Sequence, residues 1–108
     1  MKYRVVLTSR GKLDLYQAAL WWAEHRDAQQ AIEWLDKFEA AIAALADNPM
    51  SHPCAREDHQ FEYTLHRLTY GFGKRPTHRA LFEVRGDTVY VRAIRHLHQD
   101  DVTSDDLG

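Results

Sequence analysis

Arg79-Ala80-Leu81-Phe82-Glu83-Val84-Arg85-Gly86-Asp87-Thr88-Val89-Tyr90-Val91-Arg92-Ala93-Ile94 contains two runs rich in aliphatic, β-branched and aromatic residues, joined at Gly86-Asp87. Glycine accepts the backbone conformation that a tight hairpin turn needs, so the stretch predicts two antiparallel strands, about Arg79–Val84 and Thr88–Ile94. Alternation along the second strand places Val89, Val91 and Ala93 on one face and Tyr90, Arg92 and Ile94 on the other. Upstream, residues 63–70 predict a third strand, reached through the longer turn of residues 71–77 with its two glycines and Pro76.

The N-terminal half reads differently. Residues 3–7 (Tyr-Arg-Val-Val-Leu) predict a short strand. Thr8 or Ser9 can then accept from the free N–H groups of a first helical turn, opening a helix from about Gly11 to His25. Its apolar positions Leu13, Tyr16, Leu20 and Ala23 recur at helical spacing, which predicts the core-facing stripe. Trp21 and Trp22 are adjacent and so point to different parts of the helix surface. Asp27 caps a second helix, about residues 28–46, with the stripe Ile32, Leu35, Phe38, Ile42 and Leu45, and Asn48-Pro49 stops it. Residues 49–62 predict a loop across the sheet edge. The order is β-α-α-β-β-β, an α+β fold with a helix hairpin packed on one face of a small, mostly antiparallel sheet. The other face is expected to be partly open and basic.

A chain of 108 residues predicts one domain, residues 1–98, followed by an acidic tail, residues 99–108. The formal net charge of −2 is unevenly spread. Residues 56–96 carry eight Lys/Arg against five Asp/Glu, whereas residues 97–108 carry Asp100, Asp101, Asp105 and Asp106 and no Lys/Arg. The basic segment suits an anionic target or partner. Cys54 is the single cysteine, so no internal disulfide forms and an oxidising compartment is not indicated. The N-terminus lacks the apolar run of a signal peptide and no stretch has the length of a membrane span, so the expected location is the cytoplasm.

Cofactor chemistry finds little support. The Gly71/Gly73 turn before Lys74 lacks phosphate-loop spacing and leads to a strand. His96 and His98, with Asp100 nearby, supply an incomplete ligand set, so neither a metal nor a cofactor is expected. The more informative cluster is Arg79, Arg95 and His96, with Lys74, Arg75 and His78 on the adjoining turn. Metal-free phosphodiester cleavage needs cations for the extra phosphate charge and a group that transfers protons near neutral pH. The same residue types serve plain phosphate binding or ion pairs to a partner's carboxylates.

The ordered set of segments resembles the RelE/ParE superfamily of bacterial type II toxins, also called plasmid-stabilisation proteins. It comprises Leu7-Thr8, Asp14-Leu15 with Trp21-Trp22, residues 45–49 (Leu-Ala-Asp-Asn-Pro), residues 65–71 (Leu-His-Arg-Leu-Thr-Tyr-Gly), residues 79–84 and residues 91–96. The resemblance implies a toxin neutralised by a cognate antitoxin whose disordered segment folds across the toxin surface, as a hetero-oligomer or with a toxin homodimer. ParE-like members poison DNA gyrase; RelE-like members cut messenger RNA in the ribosome. For a RelE-like nuclease the resemblance implies Arg79, Arg95 and His96 as catalytic residues. For a binding toxin it leaves Trp21, Trp22, Lys74, Arg75, His78 and Arg92 as target- or partner-binding candidates. RelE-like nucleases are strongly basic, whereas this chain has a pI near 6.4. Leu97 and Thr103 stand near the places of a further arginine and a tyrosine, with Asp100 and Asp101 between them. These departures favour a ParE-like member, with the nuclease and a non-toxic binding protein of the same fold as alternatives.

Overall fold

The computed structural model describes residues 2–71, 75–97, Thr103 and Leu107. Strand β1 (Arg4–Leu7) leads into helix α1 (Ser9–His25), and helix α2 (Ala28–Ala43) follows. Three short 3-10 turns then precede β2 (His66–Tyr70), β3 (His78–Arg85) and β4 (Thr88–His96). Both helices start at side-chain caps. Thr8 is extended and its Oγ1 accepts from Gly11 N–H at 3.1 Å, and Asp27 Oδ1 accepts from Gln30 N–H at 2.8 Å.

The sheet order is β1-β4-β3-β2, with β1 parallel to β4 and the other pairs antiparallel. The helix hairpin covers one face. Leu15, Trp34, Phe38, Ile42 and Leu45 pack there against Ala80, Phe82, Val89, Val91 and Ile94. Burying each large side chain contributes roughly 1.5–3 kcal/mol. The turn at Gly86 has φ of 57°, the left-handed conformation expected of a glycine in this hairpin.

Helix α1 is rotated relative to the sequence expectation. Its inward side carries Gly11, Leu15, Ala18 and Trp22, whereas Leu13, Tyr16 and Leu20 keep 49%, 57% and 57% of their surface exposed. Both stripes have helical spacing, so periodicity alone does not rank them. The choice is made at Gly11, where a Cβ would lie 2.4 Å from the Val91 carbonyl oxygen. Only a glycine lets the first turn of α1 approach β4 so closely. In α2 the expected stripe faces inward except for Ile32, which is exposed, and Trp34 joins the core.

Strand β4 also departs from simple alternation. The register shifts from Leu81↔Ala93 to Phe82↔Val91, leaving Arg92 as the extra residue of a β-bulge. Beyond it the faces exchange, so Ala93 turns away from the helices and Ile94 turns into their core. The face opposite the helices, expected to be partly open, has a second cluster of Ala55, Leu65, Leu81, Ala93 and Leu107, with Phe61 and Tyr63 against it. Residues between α2 and β2 cover that face, tied down by Ala55 N–H to Leu65 O at 2.7 Å and Arg67 N–H to Pro53 O at 2.9 Å. Strand β2 is shorter than the expected 63–70. Leu65 N–H donates to Asp58 Oδ1 at 2.6 Å instead of to a strand, and the Arg85 and Arg92 guanidinium groups lie over the Tyr63 ring. Leu107 of the tail is buried, while Asp100, Asp101, Asp105 and Asp106 lie outside the described residues.

Gly11→Ala is expected to lower the denaturation midpoint. Crowding against the Val91 carbonyl costs on the order of 1–3 kcal/mol, more than the up to ~1 kcal/mol that alanine contributes to a helix interior. Urea unfolding of the two proteins checks this; equal stability would show that the close approach does not set how α1 lies.

Candidate partner-binding groove

The site follows from where β1 stops. Its parallel pairing with β4 ends at Leu7↔Val91, and Thr8 N–H then donates to Val91 O at 3.0 Å as the chain turns into α1. Strand β4 continues to His96 with no described strand on that side. Asp14 of α1 takes over, its Oδ2 accepting from Ile94 N–H at 3.0 Å while its Oδ1 pairs with Arg10 Nε at 3.1 Å. Between α1 and the ends of β3 and β4 this leaves a groove of about 660 Å³.

The groove wall is apolar and aromatic. Trp22 and Ala18 face it from α1 and Ile94 from β4. Trp21 forms the outer lip, half-exposed, stacked on His25 at 4.5 Å and edge-on to Trp22 at 5.9 Å. Trp34, fully buried, supports the floor from below through ring contacts with Trp22 at 6.2 Å and His78 at 5.2 Å. Arg10, Arg26 and Arg95 border the groove, and the Arg26 guanidinium lies 5.9 Å from the Trp22 ring centroid.

His78 and His96 lie side by side at the end of the groove, in an edge-to-face contact at 5.1 Å. The His78 Nδ1 pairs with Thr77 Oγ1 at 2.8 Å. Burial, and secondarily repulsion from His96, lower the His78 pKa from 6.5 to about 4. His78 is therefore neutral at physiological pH.

Of the residues singled out from the sequence, Trp21, Trp22, His78 and His96 come together here, and Arg95 borders the groove from β4 while its side chain leaves the sheet on the other face. Arg79 does not lie here. It pairs with Arg95 in the β3–β4 ladder, so both side chains leave the sheet on the face away from the helices, where that of Arg79 is buried. There Glu57, fully buried, grips it with both oxygens at 2.6 and 2.5 Å. A smaller pocket of about 260 Å³ on that side is lined by Arg56, Arg67, Thr69, Arg79 and Leu97. Arg92 is also engaged, donating to Glu83 Oε1 at 2.8 Å and Leu107 O at 3.1 Å. Arg75 is exposed, and Lys74 lies outside the described residues.

Sequence reasoning missed Arg10, Asp14, Arg26 and Glu57. Arg10 and Asp14 carried a legible signal, opposite charges four residues apart on one helix. Glu57 carried none, because it meets Arg79 across 22 residues of chain. Among the described residues no group of three or more His, Cys, Asp or Glu side chains is arranged to hold a metal ion. No described helix is long and apolar enough to cross a membrane.

Comparison with known proteins is consistent with this architecture. The family model described as the ParE toxin of the type II toxin-antitoxin system, parDE, matches residues 5–101. No curated protein matches the sequence. Among solved structures, a chain described as the chromosomal ParDE toxin-antitoxin system from P. aeruginosa is similar, with a TM-score of 0.73 and 14% identity. The match covers 90% of this chain and 98% of that one, and at this identity it establishes a shared fold.

Two measurements test the geometry. Glu57→Ala strands the Arg79 guanidinium in the interior, so a stability loss of about 3–5 kcal/mol is expected in chemical denaturation. A loss below 1 kcal/mol would mean that Arg79 finds water or another partner. His78 has a folded pKa below its unfolded one, so its contribution is present above about 6.5 and is lost as pH falls towards 4. The drop in melting temperature between pH 7 and 4.5 is therefore expected to be smaller in His78→Asn than in the parent. Equal drops would remove His78 from the acid response.

Proposed function

The chain belongs to the ParE toxin family of type II toxin-antitoxin systems, and from that premise we propose that a cognate antitoxin holds it inactive in the cytoplasm and that, once released, it acts by binding DNA gyrase rather than by cutting RNA. The observation that carries binding over cleavage is the separation of the cleavage candidates. Arg79 is locked into Glu57 on one side of the sheet, and His96 lies at the groove on the other. A metal-free nuclease needs its proton-transferring group and its phosphate-binding cations around one reacting phosphate. The net charge of −2 points the same way, because grip on a structured RNA draws on many lysine and arginine contacts. Trp21, Trp22 and His78 are the partner-binding residues in this reading.

Tightly controlled expression in bacteria without the antitoxin, followed by pulse-labelling, tests the proposal. Thymidine incorporation is expected to fall before amino-acid incorporation, with cells filamenting, and Arg79→Lys is expected to keep the effect where the protein remains folded. An earlier fall in protein synthesis would favour the ribosome-dependent nuclease. No effect on either would favour a non-toxic binding protein of this fold.

A further inference from the structure

Two histidines meet where β3 and β4 end, and the sheet register is what brings them together. His78 of β3 and His96 of β4 are direct partners in the antiparallel ladder, so their side chains leave the sheet on the same face. That face is the helix side, where the His78 ring touches Trp34. The two imidazoles meet edge to face with centres 5.1 Å apart, beside about 660 Å³ of open groove. The sequence places His98 next but one to His96, and His98 lies outside the described residues. The fold supplies His96 with a different neighbour from the adjacent strand.

His78 is also held in a particular orientation. Its Nδ1 and the Thr77 Oγ1 are 2.8 Å apart. With Nδ1 as the donor, Nε2 carries the lone pair. Histidines that ligate metals are oriented in this way, one nitrogen on the ion and the other N–H on an oxygen. His96 likewise has two ring nitrogens, so a bond at one leaves the other for an ion.

We propose that His78 and His96 together bind a divalent transition ion through one nitrogen each, copper more tightly than nickel or zinc, with water in the groove completing the shell. Two nitrogens each about 2.0–2.1 Å from one ion lie about 3 Å apart, and rings this close reach that separation. Imidazole suits these ions, whereas magnesium and calcium take oxygen ligands. Copper stands first in the general order of divalent ions at nitrogen sites. Burial keeps His78 neutral at physiological pH, so no proton competes for its lone pair. The same burial opposes a fully dehydrated dication, and Arg10 and Arg26 border the groove as like charges, Arg10 being paired with Asp14. The ion therefore keeps water on its open side. Two protein ligands are fewer than the four of a structural zinc site, so the ion is exchangeable. Such a site belongs to the chain by itself and stands whether or not the chain is a toxin.

Titration of Cu²⁺ into the purified full chain, followed by tryptophan fluorescence, tests the site. The Trp34 ring lies 5.2 Å from His78 and 6.2 Å from Trp22, so copper held there quenches both. Saturable one-to-one quenching is expected, half complete below about 100 μM. Ni²⁺ and Zn²⁺ relieve it by displacement and millimolar Mg²⁺ does not. His96→Gln and His78→Gln are each expected to weaken binding at least about tenfold. His59→Gln, exposed and outside the groove, leaves it unchanged. Electron paramagnetic resonance of the copper complex is expected to show two imidazole nitrogens in the parent and one in His96→Gln. Circular dichroism checks the fold of each variant. Should the more buried His78→Gln unfold, the nitrogen count in the parent and in His96→Gln still decides. No saturation below about 1 mM, undiminished affinity in His96→Gln, a single nitrogen in the parent, or equal binding of Mg²⁺ would overturn the proposal.

Discussion

The Val91 carbonyl oxygen accepts from the Thr8 N–H at 3.0 Å and from the Thr8 hydroxyl at 3.2 Å, and Gly11 crosses so close that a Cβ would lie 2.4 Å from the same oxygen. This junction fixes where β1 ends, how α1 is turned about its axis, and which helix residues enter the core. It also leaves the last residues of β4, paired with β3 on one side, without a described strand on the other. Exposed strand edges must be answered by something, and Asp14 answers this one through the Ile94 N–H. The groove is thus a direct consequence of a parallel strand that is four residues long next to a partner of nine.

The bulge at Arg92 divides the chemistry of the sheet. Without it Ala93 would point into the helix-side core and Ile94 away from it. With it, Ile94 and His96 join the groove side, and Arg92 reaches Glu83 on the other. The far side is occupied by ion pairs. Glu83 engages Arg85 and Arg92, and Glu57 engages Arg79. Buried ion pairs contribute little compared with apolar packing of the same volume, yet they are costly to break singly. Their effect here is to hold the segment before β2 against the sheet, since Glu57 belongs to that segment and Arg79 to β3. Tyr63 packs there as well, and burial raises its pKa in spite of the nearby Arg92.

Much of the fold was legible because local signals agreed. The Thr8 and Asp27 caps, the Asn48-Pro49 stop and the Gly86-Asp87 turn each match one structural requirement, and together they gave the element order. The bulge was illegible because it is set by pairing between strands rather than by any residue type within Val91-Arg92-Ala93. The orientation of α1 was misread because Leu13, Tyr16 and Leu20 are larger and more numerous than the small residues that actually face the sheet. Gly11 and Ala18 were uninformative as hydrophobic residues and decisive as small ones. For the groove, the aromatic lip and the histidines were visible from the sequence. The fork of Glu57 on Arg79 was not, because sequence cannot show which of many acidic residues reaches a given arginine.

Helix α1 therefore carries two apolar sides, one packed on the sheet and one, through Leu13, Tyr16 and Leu20, facing water. Any molecule that covers the second side binds the folded chain and has no comparable surface to bind on the unfolded one. By mass action its concentration then enters the folding equilibrium, adding stability that grows with the logarithm of ligand over dissociation constant. The melting temperature of this chain is accordingly not a single intrinsic constant. With a ligand on that side of α1, the melting temperature would rise with the ligand's concentration and so report its occupancy.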